Sequence, residues 1–429
     1  MINKFKLKRN FFKESEFSNN VFTLFSGTLI AQVIPISISP LLTRLYTPEN
    51  FGIFAFLIGL TMILTSVLNG RYDASILLPK KDTEAFLLFQ IAMYLPIVIT
   101  IIVYIVLWFL PQEMMSLFGL KEKEQYLLYI VPILAISFTF FMAFDFLLNR
   151  NKAYKKMSKL VILRVLFVSL LQVVLGLFFK DGLLYGLVIG MVFALVFGVI
   201  FIYPYTKNIG TSLKLKQMAQ KYKNYPMYHM PHTFFNALSN NVPMLLLPYF
   251  FSLSVTGFYM MALKVFYTPF SMLGSSIEKV FRKQIVDTLH EGNEIASQVQ
   301  SMLYKVVGVS LIPFIVLVWW APQIFSFLLG EIWYEVGIYV QILSLWIYMT
   351  FIVSIFIGIP IVLGQQKKSL MIESIYFVFR IIGLVIGAAF YQDIYIALAM
   401  YTLGGTVVVG YNLFWIYRLA QETKVGRES

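Results

Sequence analysis

The sequence predicts an all-α polytopic membrane protein that crosses the bilayer twelve times. Three observations point there. Hydrophobic residues make up 59% of the 429-residue chain and charged residues only 13%, whereas soluble domains run to about 25% charged. The apolar residues come in blocks, and one of them, 85–110, holds no charge at all. Eighteen or more apolar residues suffice to cross the roughly 30 Å hydrocarbon core as a helix. Finally, the basic residues gather in the short loops between blocks, on alternate sides.

Taken in order, the spans are expected near 21–43, 51–70, 85–110, 126–149, 160–179, 182–204, 231–250, 254–277, 304–328, 336–363, 369–390 and 394–417. The first block follows a basic, polar stretch, MINKFKLKRNFFKESEFSNN, and is too long for a cleaved signal. It reads as a retained span. Thr47 stands as N-cap of the second helix with Pro48 at its first position, so the chain turns sharply between spans one and two. The segments 205–228 and 279–302 are charged and helical in pattern.

Charge gives the orientation. Lysine and arginine cluster in the N-terminal tail, at 71–81, 150–159, 207–223, 279–283 and 367–368, and after 418. The opposite loops hold only Arg44, Lys121, Lys123 and Lys180. That asymmetry places both termini in the cytoplasm and requires an even number of spans. It also accounts for the formal net charge of +13 without a nucleic-acid partner. Cysteine is absent and histidine numbers three, so disulfides and thiolate metal sites are excluded, and no cofactor is expected.

A weak internal repeat divides the chain. LTRLYTPENFGIF (42–54) aligns with LPYFFSLSVTGFY (247–259), matching Leu42 to Leu247 and Gly52 to Gly257. LLNRNKAYKKMSKLVILRV (147–165) aligns with LGQQKKSLMIESIYFVFRI (363–381), matching Lys152 to Lys368 and Arg164 to Arg380. The expected organisation is a tail (1–20), an N-lobe of six spans (21–210), a C-lobe of six (211–417) and a cytoplasmic tail (418–429). Parallel six-helix halves of this kind are common in transporters, with the substrate site between them.

The residues that could carry function are the charged ones inside spans. Lys264 and Arg380 lie ten or so residues into their spans, near the midplane at ~1.5 Å per residue. Arg164 is closer to the cytoplasm, and Lys305, at the start of the ninth span, can snorkel. A cation at a helix centre costs roughly 2.5–3.5 kcal/mol on insertion scales, so each needs a partner or water. The acids within spans are Asp145 and Glu373, both toward the cytoplasmic side. Asp145 is within reach of Arg164, and that pairing is the plain structural reading. For Lys264 and Arg380 a water-filled cationic cavity for an anionic substrate is the reading preferred over snorkelling or pairing.

Span seven adds Asn236 and Asn240, four apart on one face and bracketed by Pro231 and Pro243. They fit either a cavity lining or an interhelical hydrogen bond. His229 and His232, without a third ligand, read as interfacial. GLVIG occurs at 186–190 and again at 383–387, and its small-residue spacing reads as helix packing. No phosphate loop, paired acids or nucleophile–base set suggests an enzyme.

Two segments, LLTRLYTPENFGIF (41–54) and RYDASILLPKK (71–81), together with twelve spans and the basic N-terminus, resemble bacterial polysaccharide (O-antigen type) flippases. These form the polysaccharide-transport branch of the superfamily that also holds multidrug antiporters and lipid II flippases. The resemblance implies two lobes around a central cavity that opens alternately to either side of the bacterial inner membrane. The implied substrate is an oligosaccharide linked by pyrophosphate to a polyprenol of the undecaprenyl type, moved to the outer leaflet. Lys264, Arg380, Arg164 and Arg71 would attract its pyrophosphate or acidic sugars, and Asp145 would be the coupling carboxylate if a proton or sodium gradient drives transport. A polysaccharide polymerase and a chain-length protein are the implied partners beside membrane lipids. A multidrug antiporter of the same superfamily is the nearest alternative, although cationic drugs would favour an acidic cavity. A membrane-embedded polymerase is the third, and the loop near 111–125 is short for one.

Overall fold

A computed structural model describes residues 26–109, 122–206 and 212–422. The expected N-terminal tail (1–20), most of the outer loop at 111–125 and the end of the C-terminal tail lie outside the described residues. Among the described residues there is no strand. Twelve long helices carry the fold: α1 (Ser26–Leu45), α2 (Pro48–Leu68), α3 (Asp82–Phe109), α4 (Gln125–Arg150), α5 (Tyr154–Gly176) and α6 (Gly182–Tyr205), then α7 (Met230–Phe250), α8 (253–290), α9 (Ala296–Trp319), α10 (Glu331–Val362), α11 (Gln366–Tyr391) and α12 (Ile394–Glu422).

Ten of these are long and apolar enough to cross a bilayer; α7 and α8 are not. Both are nonetheless continuous helices where spans seven and eight were expected. Their hydropathy is lowered by the features that drew attention to them, the asparagines of α7 and Lys264 with the charged second half of α8. The chain is an all-α polytopic membrane protein.

Span nine needs correction. The helix expected at 304–328 runs from Ala296 to Trp319 and is followed by a separate nine-residue helix, Ala321–Leu329. Pro322, in the first turn of the second helix, cannot donate to a continuing ladder, so the apolar run is split at Trp320. Lys305 is therefore not at a helix start but well inside α9, and it is exposed.

Helix α2 starts as its sequence predicts. The Thr47 hydroxyl accepts from the Asn50 backbone N–H (3.3 Å), and Asn50 Oδ1 accepts from the Thr47 N–H (3.1 Å), a reciprocal cap with Pro48 at the first helical position. Helix α3 turns Tyr94, Ile97, Val98, Ile101, Ile102 and Ile105 outward, a spacing of three and four that makes one apolar stripe for lipid.

The chain divides into two compact units between Leu245 and Leu246, within α7. In the first unit α2 and α3 pack on α4, α4 packs on α6, and α5 pairs tightly with α6. In the second α10 packs on α8 and α12, and α11 pairs tightly with α12. Both tight pairs are built on the repeated GLVIG. A Cβ on Gly186 or Gly190 would fall onto the α5 backbone at Gln172 and Val168. One on Gly383 or Gly387 would fall onto the α12 backbone at Met400 and Ala397. Only glycine lets the helix axes come so close.

At the ends of the first unit's helices, polar side chains tie loops down. Arg150 donates to the Ile76 carbonyl (3.0 Å), the Pro79 carbonyl (2.8 Å) and Asp82 (3.0 Å). Tyr72 donates to the Ala219 carbonyl (3.0 Å), and Lys221 bonds Glu84 (2.7 Å), so the helix Ser212–Lys221 is fixed against α3. The Glu84 carboxylate holds the Lys221 ammonium above the usual lysine range. Both groups are solvated, so the pair locates the helix more than it stabilises it.

Gly186→Leu is expected to destabilise the protein by about 2 kcal/mol or more, read as a lower thermal midpoint in detergent. Gly308→Leu is its control, because no atom stands within 4 Å of the added Cβ; its midpoint should stay within about two degrees.

Candidate functional site

Arg380 sits in the middle of α11 and is 5% exposed. Its guanidinium lies 4.3 Å from the Trp346 ring centre, 4.7 Å from Tyr376 and 4.1 Å from Tyr401. Nη2 donates a hydrogen bond to the Tyr401 hydroxyl, which in turn bonds that of Tyr259 (3.0 Å). Trp346 Nε1 donates to the Tyr376 hydroxyl (2.6 Å), and Tyr267 stacks on Trp346 at 5.3 Å and 14°. Gly405 makes room: a Cβ there would meet Trp346 and the Arg380 stem.

The energetics of this cage are balanced by its rings. Desolvated cation–π contacts reach about 2 kcal/mol each, so three of them offset the roughly 3 kcal/mol cost of a cation at that depth. What they do not do is neutralise the charge. No carboxylate lies within ion-pair distance of Arg380 among the described residues, and its Nε has no hydrogen-bond partner.

Lys264 lies in the same unit, in a π-helical turn of α8, Leu263–Tyr267. The wide turn arises next to Pro269, which has no N–H to continue the α ladder. The Thr268 N–H and hydroxyl are both directed to the Leu263 carbonyl instead. Wide turns of this kind re-aim side chains and are frequent at functional sites. Lys264 is half-buried, and among the described residues it has no hydrogen-bond or ion-pair partner. Phe266 is buried in the same turn against Phe270 and Phe314.

The first unit treats its cations differently. Arg164, on α5, lies over the Phe141 ring at 5.0 Å and within electrostatic range of Asp145 on α4, without a direct ion pair. Both are half-buried, and Asp145 Oδ1 has no hydrogen-bond partner. The expected approach of Asp145 to Arg164 is thus present as a charge pair across two helices. Arg71 faces Asp73 at 3.6 Å, with the Asp73 side chain fully buried and that of Arg71 13% exposed. Gly70 and Arg71 both adopt positive φ (54° and 60°), and this left-handed turn folds Arg71 back onto its own loop. Its charge is already answered there.

Asn236 and Asn240 bond each other within α7, Asn240 Nδ2 donating to the Asn236 carbonyl (3.0 Å) and side chain (3.2 Å). Both are exposed, and neither makes the interhelical bond considered above. His229 and His232 are exposed as well, with His229 stacked on Tyr225.

Sequence reasoning missed the rings of the cage. Tyr376 had a signal, four residues before Arg380 on one helix face. Trp346, Tyr401, Tyr259 and Tyr267 come from three other helices and had none. Asp73 was legible two residues after Arg71 and was overlooked.

The second unit thus holds Arg380 enclosed by rings without a carboxylate partner and, among the described residues, a half-buried Lys264 without a hydrogen-bond or ion-pair partner. The profile of the polysaccharide biosynthesis protein family matches residues 41–338, more than half of the chain. The chain belongs to that family. No curated protein sequence matches. Among solved structures, the lipid II flippase MurJ in an inward closed conformation is similar at a TM-score of 0.74 and 14% identity, over 94% of this chain and 91% of that one. A point mutant of the Vibrio cholerae MATE transporter VcmN is similar at 0.57 and 16%, over 95% and 98%. A MOP superfamily transporter from Pyrococcus furiosus, described as having a binding pocket of reverse polarity, is similar at 0.52 and 15%, over 94% of each chain. At these identities the likeness is one of fold.

Arg71→Ala is expected to cost about 3–5 kcal/mol by leaving the buried Asp73 carboxylate alone, and Arg71→Ala with Asp73→Ala should recover most of it. Thermal midpoints of the two variants in detergent test this. Equal midpoints for Arg71→Ala and the native protein would mean that the Asp73 carboxylate does not depend on Arg71.

Proposed function

We propose that the chain is a flippase that moves polyprenyl-pyrophosphate-linked oligosaccharide repeat units from the cytoplasmic to the outer leaflet by alternating access. In this reading it resides in the bacterial cytoplasmic membrane with both termini inside, and 21–210 and 211–417 are its repeated halves. Units delivered outside would be taken up by a polymerase and a chain-length protein for surface polysaccharide.

The observation that carries the reading is the unpartnered Lys264 in a unit whose other deep cation, Arg380, has no carboxylate. Charges 8 Å apart at an effective dielectric of 20 interact by about 2 kcal/mol. An anion and a cation at that distance from Lys264 therefore differ by about 4 kcal/mol, roughly a thousandfold in binding. A pyrophosphate is drawn in and a cationic drug is pushed out. The fold likeness to a MATE transporter supports the second reading, cation-coupled antiport of small molecules, and the sign of the charge at Lys264 weighs against it for cationic cargo.

Asp145 is the proposed coupling carboxylate. It faces Arg164 from a neighbouring helix and keeps one oxygen without a hydrogen-bond donor, so a proton or small cation could displace the interaction with Arg164.

Deletion in the native host, followed by analysis of lipid-linked intermediates, is the decisive experiment. Loss of surface polymer with complete repeat units held on the cytoplasmic leaflet is expected. Intact polymer with altered drug sensitivity would favour the antiporter reading. Lys264→Ala should reduce export by about tenfold or more, the equivalent of roughly 1.4 kcal/mol of lost anion binding, at normal protein levels; unchanged export would remove Lys264 from the site. Asp145→Asn should flatten the pH dependence of transport, and a profile identical to the native one would exclude its coupling role.

A further inference from the structure

Arg380 is too enclosed to meet a substrate as Lys264 does. Its guanidinium is covered by Trp346 from α10, Tyr376 from its own helix and Tyr401 from α12, and only 5% of the residue is exposed. Two of those three rings do something further. Tyr401 bonds the hydroxyl of Tyr259, five residues before Lys264. Trp346 carries the stacked ring of Tyr267, three residues after Lys264. Helix α8 is therefore bolted on either side of Lys264, and both bolts end on rings that touch Arg380.

The stretch between the bolts is the one that needs them. A π-helical turn holds more residues per turn than an α-helix, and its hydrogen bonds are less favourable, so it persists only where tertiary contacts impose it. Sliding this turn along α8 by a residue would rotate Lys264 by close to a quarter turn and carry Tyr267 off Trp346. The stack on Trp346 and the Tyr259–Tyr401 bond together set the register of the turn, and with it the direction of the ammonium.

We propose that Arg380 is a positioning residue: by clamping Trp346 and Tyr401 it locks the wide turn of α8 and aims Lys264, without itself touching the transported anion. This rests on the flippase reading for what Lys264 binds, but not for how Lys264 is held. Arg380 is the partner that these rings share, beside the direct edge contact of Trp346 with Tyr401 at 5.9 Å; an isosteric neutral side chain would remove its cation–π contacts and its hydrogen bond to Tyr401.

The native chain contains no cysteine, so a single introduced thiol can be followed without background. Lys264→Cys is labelled in membranes with 2-aminoethyl methanethiosulfonate, alone and combined with Arg380→Met, Arg380→Lys or Tyr401→Phe. Lys367→Cys, at an exposed position in the first turn of α11, reports on overall folding in the same backgrounds. The expected result is ready labelling of Lys264→Cys in the otherwise native chain. A change in rate of about fivefold or more is expected with Arg380→Met and Tyr401→Phe, smaller with Arg380→Lys, and none at Lys367→Cys. Unaltered Lys264→Cys rates in all three backgrounds, absence of labelling in the otherwise native chain, or parallel changes at Lys367→Cys would overturn the proposal.

Transport supplies a second, separable test. Tyr401→Phe alters no charge, yet it should lower export in the Lys264 background and have no further effect once Lys264→Ala is present. The same holds for Arg380→Lys. Losses that multiply instead would mean that Arg380 contacts the anion directly. If the substrate is not a lipid-linked oligosaccharide, the export measurements fail for every variant while the labelling pattern stands.

Discussion

A cation inside a bilayer has to be answered by something, and for Arg380 the answer is aromatic rather than acidic. Rings offset the cost of burying Arg380 without cancelling its charge. Most of the local architecture follows from that choice. Helices α8, α10, α11 and α12 each contribute a ring to the cage or its second layer, glycines at 383, 387, 404 and 405 bring α11 and α12 close enough to deliver them, and the π-helical turn of α8 is held between two of their contacts. A carboxylate in place of any of these rings would make a stronger bond to Arg380 and leave a neutral site. The aromatic solution leaves the region positive.

The first unit makes the opposite choice. Arg71 is paired with buried Asp73, Arg150 with Asp82, and Arg164 faces Asp145. Sequence alignment matches Arg164 to Arg380, and each lies on the helix that pairs through glycines with its successor. Arg164 on α5 and Arg380 on α11 are surrounded differently. One half holds a charge pair that a proton or ion could alter; the other holds a fixed positive charge.

Much of this was legible in the chain. Among the described residues the blocks read from the sequence fell on the twelve long helices, the ninth with shifted bounds, because hydrocarbon forbids unsatisfied backbone and a helix is the local way to satisfy it. The cap at Thr47, the close packing at GLVIG and the oddity of Lys264 were equally readable, since each depends on residues within one turn or one helix face. The split at Trp320 shows the limit. Hydropathy averages over a window and does not register that Pro322 ends one ladder and begins another.

By itself, then, the sequence determined what is local: the helical class, the number of helices, the caps, the small-residue contact stripes and which helices carry a buried cation. Only the tertiary structure decided how each cation is answered. Arg71 and Arg380 look alike as lone arginines at the edge or middle of a span. One is neutralised by a carboxylate two residues away, the other is caged by rings drawn from positions 346, 376 and 401. The physical reason is that the electrostatic character of a buried charge belongs to its neighbours in space. Three of the four helices that surround Arg380 have no sequence relation to it that a local pattern could reveal.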